Sequence, residues 1–275
     1  MSWTDRQRAM LRVMGVPLWQ PPAHVSEAAS DRADALPDAG VGTAPAPAPA
    51  PAPRPAPGPA RAPVPVATAA AAAPPSAAVR PSPDDPVAAL GWDDLRAAVA
   101  ACQACTLAGT RTQTVFGVGH PQAPWMIVGE APGEQEDLQG EPFVGAAGQL
   151  LDAMLHAVGL SRGEAPPERQ VYIANTLKCR PPRNRNPEAE ELARCEPFLQ
   201  RQIALVQPRI LLAMGRFAVQ ALLRSDEPIG RLRGRVHHYQ GVPLVVTYHP
   251  AYLLRQPQDK AKAWEDLCLA ASLLE

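Results

Sequence analysis

No run of 18 apolar residues occurs in the 275-residue chain, which excludes a membrane-spanning helix. The first residues lack the apolar core of a secretory signal, so the protein is expected to be cytoplasmic. A surplus of one charge is missing too. Lys and Arg number 26 against 27 Asp and Glu, a net charge of −1. No global basic surface therefore draws the chain to nucleic acid, and any such contact must come from local patches. The glycine-rich stretch 129–148 lacks the spacing of a Walker P-loop. With acids at Glu130, Glu134, Glu136, Asp137 and Glu141, it is too acidic for a phosphate cradle.

Proline is abundant but unevenly spread: 19 of the 34 prolines precede residue 87. Residues 44–59 are nearly pure Ala-Pro, a composition that favours extended polyproline II and cannot bury enough apolar surface to offset its ordering entropy. Residues 24–86 are therefore read as a semi-rigid disordered spacer. Ahead of it, residues 1–23 hold a short amphipathic segment. Met10, Leu11 and Met14 form its apolar stripe, Gly15 ends the helix, and Leu18 and Trp19 follow as anchors. A short helix on a long tether suits docking on a partner. The segment resembles the N-terminal peptide of the psi subunit of the bacterial clamp loader, which implies a replication partner bound through residues 1–22.

The remaining stretch, 87–275, is long enough for one domain with a real core. Apolar runs at 125–128, 171–175, 209–214 and 242–248 read as buried strands. Helical spacing fills 149–158, 188–206, 216–223 and the C-terminal segment. Strands alternating with helices predict an α/β fold, a three-layer α/β/α sandwich around a parallel sheet.

Loops at the carboxyl ends of such strands are where ligands bind. The 129–148 loop follows the first strand and holds one aromatic, Phe143, which is a candidate stacking platform or a core residue. Of five cysteines, Cys102 and Cys105 form a C-x2-C pair, and Cys179 and Cys195 bracket a helix start. Cys268 falls in the apolar pattern of the last helix and reads as core. In a cytosolic chain four such cysteines suit metal better than disulfides, and either tetrahedral zinc or a 4Fe–4S cluster would fit.

Three blocks stand in order: GEAPGEQED…PFVG after the first strand, VYIAN before KCRPPRNRNP, and YHPAYLLR after the fourth strand. With the four cysteines they resemble the family 4 uracil-DNA glycosylases over about residues 90–273. The resemblance implies a four-stranded parallel sheet, a 4Fe–4S cluster on Cys102, Cys105, Cys179 and Cys195, and hydrolysis of the N-glycosidic bond of deoxyuridine in DNA. The chain would act as a monomer. The alternative is a tethered iron–sulfur DNA-binding module that has lost catalysis.

On this resemblance each residue gains an expected role. Phe143 stacks on the extruded base. The Asn175 carboxamide matches uracil's N3–H donor and O4 acceptor, while cytosine would leave buried groups unpaired. His249 donates to the charge developing on uracil O2. Related families carry an aspartate where this chain has Ala131, beside the base. That leaves Glu130 or Glu136 to position the water, with Asp137 third. Leu253, four residues past His249, matches the wedge that fills the gap left by the flipped base, although core packing would also suit it. Arg183, Arg185 and Arg255 are candidate phosphate contacts, with Lys178 and Arg180 in the same basic loop.

Overall fold

The computed structural model describes residues 86–274. The amphipathic segment and the spacer lie outside the described residues. A six-stranded sheet forms the middle layer, in the order β1-β3-β2-β4-β6-β5. Its four inner strands are parallel: β3 (Val171–Asn175), β2 (Trp125–Gly129), β4 (Ile210–Met214) and β6 (Val242–Thr247). They coincide with the four strands expected from the apolar runs. The sheet is larger than the expected four strands because β1 (Val118–Gly119) and β5 (Val236–Tyr239) add antiparallel edges. Both are short and only partly buried, so neither leaves an apolar run in the sequence.

Residues of β2, β3 and β4 are all buried, as expected of parallel strands covered on both faces. Alternation sorts them into two cores. Trp125, Ile127, Val171, Ile173, Ile210, Leu212 and Val245 meet Leu151, Met154 and Leu155 of α3 (Ala146–Ala157) and Trp264 and Leu267 of α8 (Lys260–Ser272). Met126, Val128, Ala174, Leu211, Ala213, Leu244 and Val246 meet Leu199 and Ile203 of α4 (Ala189–Val206) and Val219 and Leu222 of α5 (Arg216–Leu223). Helix α1 (Trp92–Ala101) packs Leu95 and Val99 against Phe198 of α4.

Three smaller helices complete the domain: α2 (Glu134–Gln139), α6 (Ile229–Leu232) and α7 (Pro250–Arg255). Helix α2 lies inside the stretch expected to be loop. Its two turns carry few apolar residues, and Leu138 is 57 % exposed, so periodicity does not reveal it. Cys268 is exposed on α8 rather than in the core. Among the described residues no helix is long and apolar enough to cross a membrane.

Candidate active site

The carboxyl ends of β2, β3 and β6 open onto one cleft of about 180 Å³. Strand β2 delivers Gly129 and Glu130, and β3 delivers Asn175, which is register partner to Gly129. Beyond β6, Tyr248 and then His249 lead into α7. Glu130, Ala131, Glu136, Phe143, Asn175 and His249 all line the cleft, so six residues from three distant blocks meet there. Pro132, Gly133, Ala147, Pro181, Asn184 and Ala251 also line it. These carry no titratable side chain and gave no chemical signal in the sequence.

Asn175 is 2 % exposed, and its Oδ1 has no hydrogen-bond partner among the described residues. An unpaired buried acceptor costs about 1–3 kcal/mol. Here it belongs to a residue that lines a cleft. Gly129 makes that opening possible, because a methyl group there would collide with Asn175 Oδ1 and stand 2.6 Å from Phe143 Cζ.

Phe143 belongs both to the core and to the cleft wall. It is 5 % exposed and joins the core cluster, yet its ring lines the cleft with its centroid 5.3 Å from that of His249. Its φ of 56° places a bulky residue in the left-handed region, a strain that needs support from its surroundings. Support comes from Gly148, where any Cβ would overlap the Phe143 carbonyl, and from the neighbouring Val144 and Gly145 amides held by Glu136.

His249 caps α7, and its Nδ1 accepts from Ala251 N at 3.2 Å. A ring nitrogen that accepts has no proton, so the neutral ring carries its proton on Nε2. Burial lowers the His249 pKa to about 4, helped by the Arg255 charge and opposed by Glu136. The ring is therefore a neutral donor throughout the neutral range. Because the folded pKa lies below the ordinary value of about 6.5, the stability this contributes is complete above that pH. It is lost as pH falls from there to about 4.

Glu130 and Glu136 separate cleanly. Glu136 Oε1 accepts from Val144 N at 2.9 Å and Gly145 N at 3.1 Å, and Oε2 accepts from Gly133 N at 3.0 Å. With both oxygens held by the backbone it clips the loop, which corrects its expected place as a water-positioning group. Asp137 is likewise occupied, by the Thr112 and Gln113 amides. The Glu130 carboxylate makes no hydrogen bond or ion pair among the described residues. Burial raises its pKa, opposed by the charges of Arg216 and Arg255.

The expected DNA contacts need more revision. Leu253 is fully buried in the core and is no wedge; α7 presents Leu254 instead, 44 % exposed. Arg185 lines the cleft and is bound to Glu191 at 2.6 Å and Glu188 at 3.2 Å, so it also braces its own loop. Lys178 is 1 % exposed and belongs to no basic surface. Arg180 lies on Asn184 and Glu134. Arg183 and Arg255 are exposed and form no ion pair among the described residues. Arg216, exposed at the start of α5 and close enough to act on Glu130, joins them. Isolated in an apolar helix pattern, it gave no sequence signal.

Behind the cleft, Cys102, Cys105, Cys179 and Cys195 line one further pocket. Two sulfurs already accept hydrogen bonds: Cys179 Sγ from Arg111 Nη1 at 3.1 Å and Cys195 Sγ from Lys178 N at 3.3 Å. Burial pushes both thiols up, Cys195 to about 12, opposed by Arg111 and Lys178 respectively. Among the described residues no group of three or more His, Cys, Asp and Glu could hold a metal ion. Arg111, Lys178 and Arg194 line the same pocket.

The Uracil DNA glycosylase superfamily model matches residues 116–268. The type-4 uracil-DNA glycosylase of Archaeoglobus fulgidus is 42 % identical over 174 residues, covering 60 % of this chain and 84 % of the relative. That of Pyrobaculum aerophilum is 42 % identical over 178 residues, 61 % of this chain and 87 % of the relative. That of Thermotoga maritima is 38 % identical over 178 residues, 63 % and 90 % respectively.

Proposed function

The chain belongs to the uracil DNA glycosylase superfamily, and we propose that it flips deoxyuridine out of DNA and hydrolyses its N-glycosidic bond, the first step of base excision repair. The observation that carries this reading is Asn175, a cleft-lining residue whose buried Oδ1 has no hydrogen-bond partner among the described residues. Uracil N3–H meets that acceptor, and the carboxamide NH2 meets O4. Phe143 closes the cleft from the side of α3. As the C–N bond breaks, charge gathers on uracil O2, and His249 Nε2–H donates to it. Glu130, the one cleft carboxylate not tied to the backbone, faces the cationic sugar and orients the attacking water. Arg183, Arg216 and Arg255 supply phosphate contacts, which give affinity without sequence choice. The exposed Leu254 is available to fill the vacated stack. Release of free uracil from a uracil-containing oligonucleotide tests the reading; a protein that binds the oligonucleotide but releases none is the inactive module instead.

The Glu130 assignment has its own pH signature. Burial raises its pKa, and it works ionised, so activity is lost as pH falls through that raised value. His249, already neutral there, adds no loss until about pH 4. Single-turnover rates of Glu130→Gln are expected to be low but flat across the acid range where the wild-type rate falls. An unchanged acid limb in the variant would remove Glu130 from the role.

For the cysteine pocket we propose a 4Fe–4S cluster on Cys102, Cys105, Cys179 and Cys195. The pocket that the four cysteines share and the two N–H donors on its sulfurs support it, and the cluster's positive charge would hold the buried thiols as thiolates. Its contribution is to clip together the C-x2-C loop, the segment after β3 and α4; hydrolysis transfers no electrons. Anaerobically purified protein is expected to be brown, with about four irons per chain. Stoichiometric zinc in colourless protein would overturn this.

Residues 1–22 are proposed to dock on a replication protein such as a clamp loader, on the strength of their apolar stripe and the long Ala-Pro tether. Deleting residues 1–86 is expected to leave excision on a short oligonucleotide unchanged while abolishing partner pull-down. Loss of intrinsic activity on truncation would place the segment with the catalytic domain.

A further inference from the structure

Lys178 is one of the largest fully buried side chains of the protein. A buried ammonium without a counter-charge is costly, and such groups are normally paired. Among the described residues Lys178 has no carboxylate partner. Instead it lines the pocket of the four cysteines. Its Nζ donates to the Asn175 carbonyl oxygen at 2.7 Å. Its own backbone is held at both ends, since N donates to Cys195 Sγ at 3.3 Å and O accepts from Val115 N at 2.8 Å.

These contacts form a short physical chain from the cysteine pocket to the base-reading carboxamide. Asn175 is the last residue of β3, where the ladder to β2 ends. Thr176 N, the next donor, is bonded to Gly129 O at 3.1 Å, so a rotation of the peptide after Asn175 would move both walls of the cleft.

We propose that Lys178 is a positioning residue for uracil recognition: its side chain, donating to the Asn175 carbonyl, fixes the Asn175 backbone and thereby aims the Asn175 side chain into the cleft. The proposal rests on the uracil-excising reading and adds a residue that touches neither base nor sugar. It also gives the cysteine pocket a link to specificity.

A double-mutant cycle tests it in the full chain. Lys178→Met keeps the volume and removes the donor. It is expected to lower kcat for uracil excision about 10-fold or more, with a smaller change in KM, because the misaligned group acts chiefly in the transition state. In an Asn175→Ala background the same change is expected to alter the rate less than about twofold, since contacting residues are non-additive. Iron content and the visible spectrum are read on every preparation. Equal rate losses in both backgrounds would show a general structural role and overturn the proposal. If Lys178→Met does not fold, Lys178→Leu, which also lacks the donor, replaces it in the cycle; failure of both to fold would also overturn positioning in favour of a folding role. Wild-type protein that releases no uracil would sink the excision reading itself. Wild-type activity without iron would sink only the cluster, because the cycle reports on Lys178 and Asn175 whichever metal is bound.

Discussion

Replacing His249 with alanine is expected to slow uracil excision by roughly 10²–10³-fold in single-turnover assays, the scale of losing one oxyanion donor. The expectation follows from the tautomer. Nδ1 is committed to Ala251 N at the start of α7, so the proton is on Nε2 and the ring's free edge is a donor. A protonated imidazole would donate more strongly, but burial and Arg255 hold the pKa near about 4, so the enzyme uses a neutral ring. A neutral donor does not attract anionic ligands in the ground state, and its hydrogen bond strengthens only as charge reaches O2. The loss should therefore appear in kcat with little change in KM. His249→Gln, which restores an N–H, is expected to recover part of it. A His249→Ala enzyme with the wild-type single-turnover rate would remove the residue from the mechanism.

The fold's centre was legible because parallel strands buried on both faces are continuous apolar runs. The runs beginning at Trp125, Val171, Arg209 and Val242 matched β2, β3, β4 and β6 to within a residue or two. Strands β1 and β5 escaped because edge strands owe their existence to a neighbour's ladder, not to burial. The same division holds at the site. Asn175 and His249 could be found because they end strand blocks with distinctive neighbours. What could not be read was the use to which each charge is put. Glu136 and Glu130 are chemically alike, yet one is consumed by three backbone amides and the other faces the cleft. Arg185 and Arg183 are two residues apart in one basic loop, and a buried glutamate claims only the first. Leu253 and Leu254 differ by 100° around a helix, and packing decides which of them meets solvent. Partners across the fold settle these questions, and local sequence carries no record of them.

Asn175→Asp is expected to collapse the preference for uracil over cytosine, by roughly 10²-fold or more in the ratio of kcat/KM values. In the wild-type site a carboxamide offers one acceptor and one donor in fixed order. Uracil satisfies both, whereas cytosine, with N3 an acceptor and N4 a donor, opposes both. Two unpaired buried groups at about 1–3 kcal/mol each give the discrimination its size. A carboxyl group breaks the order. When ionised it only accepts, so it loses uracil O4 while gaining cytosine N4–H. When protonated it holds an acceptor and a donor whose positions exchange freely, so it suits either base. The site favours the protonated form, because a residue 2 % exposed at position 175 has little solvent to stabilise a carboxylate. The uracil rate falls and the cytosine rate rises from its floor, and the ratio closes from both sides. The measurement is excision of each base from the same oligonucleotide context over a range of pH. A ratio unchanged from wild type would mean that the cleft rejects cytosine by shape or stacking, and that the unpaired Oδ1 serves another purpose.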